Sequence, residues 1–358
     1  MSKSRRWLAK FIVLLLGIIG AGLLLLSAEM IVRLTRPRLN PLRSFVKAPT
    51  VEMIVDAGTP TMRYDAELSH RFLPNLRAAE WAWTRFDTNA QGVRRATDIR
   101  AKQPGTVRIA CFGDSCTFGF GVPWIFGNHP DPAEKPYADL LEVSLSAAFP
   151  GRKIEVLNLG VPGYTSTNGV VSIRRALAEF QPDIVTAAFL TNDIVDPGLS
   201  ARQVSPHGLW QKCLRTLAGH SQLVLHTMDT IRRHSGPKKL TGYGVACTPL
   251  ETYIRNHETM RELCAAAGAE FVLINPFFRD VRGGESRLPP TRVKQYRECL
   301  RAYATAANVP WVDVPEVTEA RQADNDALFM EAVHPNAKGH RIIAERLHTF
   351  LLRFIERR

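Results

Sequence analysis

Residues 107–119 read VRIACFGDSCTFG, and that string sets the architecture of the chain. Val107 to Phe112 is a short apolar run of the kind a buried strand carries. Gly113 and Gly119 bound a turn with Ser115 near its head, so a hydroxyl stands where a strand ends and a helix is to begin. Thr117 occupies the place of the second glycine in a G-x-S-x-G elbow, which disfavours the α/β-hydrolase arrangement. A Gly-Asp-Ser string is common, and an ordinary turn is its default explanation.

Downstream the same strand-then-helix rhythm recurs. KPYADLLEVSLSAAF (135–149) has helical spacing, KIEVLNLG (153–160) reads as a strand, and TSTNGVVSIRRALAEF (165–180) is a helix opened by a Ser/Thr cap. DIVTAAFL (183–190), EFVLINP (270–276) and WVDV (311–314) read as further strands. LETYIRNHETMRELCAAAG (250–268), TRVKQYRECLRAYATAA (291–307) and a last segment from about Ala337 read as helices. Such alternation predicts a parallel sheet with helices on both faces, and ligands of such sheets bind outside the carboxyl ends of the strands. An irregular insertion at about 195–248 interrupts the pattern; its basic residues Arg232, Arg233, Lys238 and Lys239 fit a solvated loop or a membrane-surface contact.

Upstream the chain changes character. Phe11 to Ala28 has no charge and is long enough to span a bilayer, and Lys3, Arg5, Arg6 and Lys10 precede it. Small residues do not occupy both the −3 and −1 places of any obvious cleavage site, so an uncleaved signal-anchor is favoured over a cleaved signal. The expected organisation is a basic cytoplasmic tail (1–10), a transmembrane helix (11–32), a membrane-proximal region with short strands (33–104) and the α/β domain (105–358, with the insertion at about 195–248). The basic lead favours an N-in topology, which places that domain on the exported side of the inner membrane.

Composition narrows the partners. With 45% apolar residues the chain can bury a sizeable core, and 46 Lys plus Arg against 34 Asp plus Glu leave a net charge of +12, which favours anionic neighbours. No stacking aromatics interleave the basic runs and no recognition module is visible, so nucleic acid is not an expected partner. The six cysteines are irregularly spaced without a CxxC pair, so most thiols are expected free, with Cys111 a small buried hydrophobe. Without an HExxH, a calcium loop or a P-loop, neither metal nor cofactor is expected.

Near the C-terminus, Glu331-Ala332-Val333-His334-Pro335-Asn336 places an imidazole on a loop just before a helix, with a carboxylate three positions earlier. A serine becomes a useful nucleophile only beside a base, and the base needs a group that holds its tautomer. Glu331 is the first candidate for that group; a backbone carbonyl, Asp324 or Asp326 are the others.

Together, FGDSCTFG (112–119), NLGVPGYT (158–165), LTND (190–193) and this last string resemble, in order, four blocks of the SGNH subgroup of the GDSL esterase/lipase hydrolases, over roughly residues 105–350. The resemblance implies a flavodoxin-like three-layer α/β/α fold with a central parallel sheet. It also implies Ser115 as nucleophile, His334 as base, and an oxyanion hole made by the N–H groups of Ser115 and Gly163 with the side-chain amide of Asn192. Leu190 stands where the family has glycine, and Glu331 where it has aspartate. Asp114, Asp193 and Tyr164 read as architectural, Asp114 bracing the turn beside the serine. Serine esterase activity on short acyl esters, acetyl above all, of cell-envelope carbohydrate is the expected function. Lipid ester hydrolysis, O-acyl transfer through the same site, and a non-catalytic envelope scaffold are the alternatives.

Overall fold

The computed structural model describes residues 3–36, 61–81, 84–123, 133–195, 217, 220–234, 246–275, 290–314, 328–330 and 333–358. Helix α1 (Lys3–Thr35) is followed by two antiparallel hairpins, β1 (Met62–Asp65) with β2 (Ser69–Phe72), and β3 (Ala79–Trp81) with β4 (Thr84–Phe86). The five strands expected from residue 107 onward come next: β5 (Thr106–Gly113), β6 (Lys153–Gly160), β7 (Ile184–Ala188), β8 (Glu270–Asn275) and β9 (Trp311–Asp313). They pair in parallel in the order β6-β5-β7-β8-β9, so the chain crosses to one side of β5 and then returns to the other. That reversal makes the carboxyl end of β5 the switch point at which such sheets bind ligands.

Alternation of side chains along β5 decides which helices cover which face. Val107, Ile109 and Cys111 point to one side, where they pack with Tyr137, Leu141 and Leu145 of helix α3 (Tyr137–Ala148) and Ile343, Leu347 and Leu351 of the last helix. Ala110 and Phe112 point to the other, where Ile173 and Phe180, Met260 and Cys264, and Leu300 and Ala304 close over them. Those six residues come from helices α4 (Ser166–Phe180), α7 (Leu250–Ala266) and α8 (Pro290–Ala306). The remaining helices are α2 (Ser115–Phe118), α5 (Thr191–Ile194), α6 (Gln222–His234) and α9 (Ala337–Glu356). The result is the expected three-layer α/β/α fold with a central parallel sheet, preceded by an apolar N-terminal helix. Cys111 is fully buried, and burial pushes its thiol up to about 12, so it behaves as a core hydrophobe. Cys111, Cys264 and Cys299 are free thiols.

Met1–Phe45 with Val204–Lys239 form one compact unit, and Val46–Gln203 with Leu240–Arg358 the other. The hairpins at 62–86 therefore belong to the sheet's own unit. Residues 220–234 of the insertion group with the N-terminal helix. In the smaller unit Lys10–Thr35 is long and apolar enough to cross a membrane, as either an anchor or a signal. Glu29, just past the uncharged run, accepts from the N–H groups of Gln222 and Leu223 at 3.0 and 2.9 Å and from the Ser221 hydroxyl at 2.7 Å, which caps α6.

Candidate active site

The serine turn follows from the crowding at the end of β5. Asp114 is the N-cap of α2, its carboxylate accepting from the Cys116 N–H at 2.9 Å, which is the bracing expected of it. A methyl on Gly160, at the end of β6, would overlap the backbone N–H of Phe118, so only glycine lets the second strand end against this turn. Ser115 is left half-buried at the sheet's rim.

His334 reaches the same point from the far end of the chain. Its loop is pinned on both sides: the Met330 N–H donates to the His334 carbonyl at 2.9 Å and the Asn336 N–H to the Leu328 carbonyl at 2.9 Å. Asn336 then caps α9, its side-chain oxygen accepting from the N–H groups of Lys338 and Gly339 at 2.9 and 3.2 Å. Held so, the His334 Nε2 lies 2.8 Å from the Ser115 Oγ. That is hydrogen-bond distance for a hydroxyl giving its proton to an imidazole. Phe120 stacks on the His334 ring, centroids 4.2 Å apart. Glu331, with Asp324 and Asp326, lies outside the described residues.

Gly163 and Asn192 come to this rim from the ends of β6 and β7. Gly163 has φ of 82°, and the Tyr164 N–H donates to the Val161 carbonyl at 3.2 Å, closing a four-residue turn. The Val161 N–H donates to the Gly113 carbonyl at 3.1 Å, which ties this turn to that of Ser115. The Asn192 amide donates to the Tyr164 carbonyl at 3.0 Å and approaches the Asp114 carboxylate at 3.4 Å. Leu190 has φ of −172°, outside the positive-φ region that calls for glycine.

The structure thus brings Ser115, His334, Gly163 and Asn192 to one rim. The sequence model of the GDSL-like Lipase/Acylhydrolase family matches residues 111–342. The chain belongs to that family. It is therefore a serine hydrolase acting on esters. Among solved structures this acylhydrolase is similar to an alpha/beta hydrolase enzyme from the metagenome of Lake Arreo, Spain, at 19% identity over 68% of this chain and 94% of that one, with a TM-score of 0.45. An acetylxylan esterase from Geobacillus stearothermophilus is similar at 18% identity over 69% and 94% of the two chains, TM-score 0.43. No curated protein matches the chain.

Several residues that shape the acylhydrolase site carry no motif. Phe118 and Phe120, just after the serine, sit among Phe72, Trp81 and Phe86 of the hairpins, with centroid separations of 5.0 to 6.1 Å. Arg94 is buried, with its guanidinium 4.5 Å over the Phe118 ring, and it donates to the carbonyls of Phe118, Gly119 and Val122. Burial lowers its pKa to about 10, which leaves it cationic at neutral pH. Their only signal in the sequence is a density of aromatics at 72–86.

Two buried carboxylates complete the electrostatics. Burial raises the Asp114 pKa, while the Cys116 N–H and the nearby His334 pull it down. Asp193 takes the N–H and hydroxyl of Ser166 on its carboxylate, at 3.0 and 2.7 Å, which fastens the Asn192 segment to the start of α4; burial pushes it up to about 7. Among the described residues no three His, Cys, Asp or Glu side chains gather as a metal site requires.

Proposed function

We propose that this acylhydrolase removes short acyl groups, acetyl above all, from esterified carbohydrate of the cell envelope, through an acyl-serine on Ser115. The Ser115 Oγ attacks the ester carbonyl as His334 Nε2 takes its proton; the ester C–O bond then breaks and that proton goes to the departing sugar hydroxyl. Water attacks the acyl-serine, gives its proton to His334, and the acid leaves as Ser115 recovers the proton. The oxyanion formed in each half is held by the N–H groups of Ser115 and Gly163 and the amide of Asn192. Glu331 is assigned to the proton-bearing Nδ1 of His334.

The observation that carries this reading is the 2.8 Å approach of His334 Nε2 to Ser115 Oγ. An uncleaved apolar helix at the inner membrane, with the catalytic unit on the exported side, would hold the site beside envelope material, and the net charge of +12 favours anionic polymer.

Full-length protein in detergent micelles, assayed on a ladder of p-nitrophenyl esters, tests the reading. Acetyl is expected to be the preferred acyl group, and Ser115→Ala is expected to lose both turnover and fluorophosphonate labelling. Full activity in Ser115→Ala overturns the site, and a preference for long chains overturns the substrate in favour of lipid esters.

A further inference from the structure

The turn that presents Gly163 is fastened from outside the region that defines the family. Val161, Pro162, Gly163 and Tyr164 form a β-turn closed by the Tyr164 N–H to Val161 carbonyl bond. Proline at its second place excludes the mirror-image turns, and the φ of 82° at Gly163 then makes it type II. A type II turn and a type I turn differ by a half-rotation of the central peptide, here Pro162 to Gly163. Because that peptide is planar and trans, its C=O and N–H point in opposite directions. Whatever fixes the Pro162 carbonyl therefore fixes the aim of the Gly163 N–H.

That fixing group is His70, on β2. Its Nε2 lies 2.8 Å from the Pro162 carbonyl, and its Nδ1 lies 2.9 Å from the Ser69 hydroxyl. A carbonyl can only accept, so Nε2 bears the proton and the Ser69 hydroxyl donates to Nδ1. Ser69 adopts φ of 66°, a left-handed conformation unfavourable for a serine, to aim that hydroxyl. The His70 carbonyl in turn accepts from the Tyr164 hydroxyl at 2.5 Å, so both ends of the turn's second half are tied to one residue. His70 is 1% exposed and burial lowers its pKa to about 4, so the ring is neutral at ordinary pH.

We infer that His70 is a positioning residue for the oxyanion hole, selecting the type II form of the Val161–Tyr164 turn and so aiming the Gly163 N–H at the substrate's carbonyl oxygen. The inference rests on the reading of Ser115 as nucleophile and the Gly163 N–H as donor. It assigns to the hairpin at 62–72, which precedes the matched region, a part in transition-state stabilisation. The bond to the Pro162 carbonyl also polarises the peptide, which strengthens its N–H as a donor.

The test compares kcat, KM and melting temperature on p-nitrophenyl acetate for the full-length wild type, Ser115→Ala, His70→Ala, His70→Gln and His70→Asn. Glutamine carries a donor at the place of Nε2; asparagine carries one at the place of Nδ1, short of the carbonyl. Without His70 the hole loses part of one donor, so His70→Ala is expected to lower kcat by roughly ten- to a hundred-fold, with KM within about twofold. His70→Gln is expected to recover most of that loss, and His70→Asn to recover none at a similar melting temperature. Equal kcat in the glutamine and asparagine variants overturns the inference, whether or not the alanine variant folds. Activity surviving in Ser115→Ala overturns the reading of the site instead, and is distinguishable because it does not depend on residue 70.

Discussion

The strand ends that carry Ser115, Gly163 and Asn192 and the hairpins of residues 62–86 border the same site, but they serve it by different means. In the proposed mechanism the strand ends present groups that react or donate: a hydroxyl, a turn N–H, a carboxamide. The hairpins present groups that grip backbone: His70 holds the Pro162 carbonyl, and the Thr84 hydroxyl takes the Gly121 N–H at 2.6 Å. From the coil just after them, Arg94 holds three carbonyls beyond the serine. Removing a reacting group should therefore abolish turnover and leave the fold intact, whereas removing a gripping group should lower both by intermediate amounts.

The largest effect is expected at His334. His334→Ala should lower kcat on p-nitrophenyl acetate by about 10⁴-fold or more while its melting temperature stays near that of the wild type. A loss within tenfold would break the division between reacting and gripping residues at its strongest point. Next comes Asn192→Ala, expected to cost about 10²–10³ in kcat with little change in KM, as for the loss of one oxyanion donor. A rise in KM with kcat unchanged would move Asn192 to ground-state binding.

Arg94→Met sharpens the comparison from the other side. Methionine keeps apolar bulk against Phe118 but leaves the carbonyls of Phe118, Gly119 and Val122 without their donor, so the unfolding free energy should fall by about 3 kcal/mol. Denaturant midpoints measure it. A variant as stable as the wild type would mean that water replaces the guanidinium and that the grip is dispensable.

The same division explains what could be read from the sequence. The parallel sheet was legible because each strand is a local apolar run: the strand read at 107–112 spans 106–113, and the one read at 153–160 spans those residues. Asp114 as the brace of its turn was legible too, since cap chemistry acts within two residues. His70 was not legible, because its partner at Pro162 is 92 residues away and is a backbone atom with no side-chain signature. The helix Gln222–His234, inside a stretch that reads as irregular, was hidden for a similar reason. Ser221 caps its start locally, its hydroxyl accepting from the Val224 N–H at 3.2 Å, but the N–H groups of Gln222 and Leu223 go to Glu29, 193 residues before Gln222, a contact that no local pattern announces. Residues whose work is to hold distant backbone leave no local pattern.

At neutral pH the smallest effect is that of the His70 titration, which shows only as the pH falls. Its ordinary pKa of 6.5 falls to about 4 in the fold through burial, so between these values the unfolded chain binds a proton that the folded chain does not. The folded state therefore loses stability as pH drops from about 6.5 towards 4, at up to about 1.4 kcal/mol per pH unit from this group, and is unaffected by it above 6.5. His257, lowered to about 4, and His340, lowered to about 3, act in the same direction, whereas Asp193, raised to about 7, acts in the opposite one. The wild-type curve alone mixes these contributions. The difference between wild type and His70→Gln isolates one of them: the stability gap should stay constant above pH 6.5 and shift in favour of the glutamine variant as the pH falls to 4. A gap that does not change with pH would mean that the imidazole is protonated as readily in the fold as out of it, and that the hairpin does not seal it from water while it grips the turn.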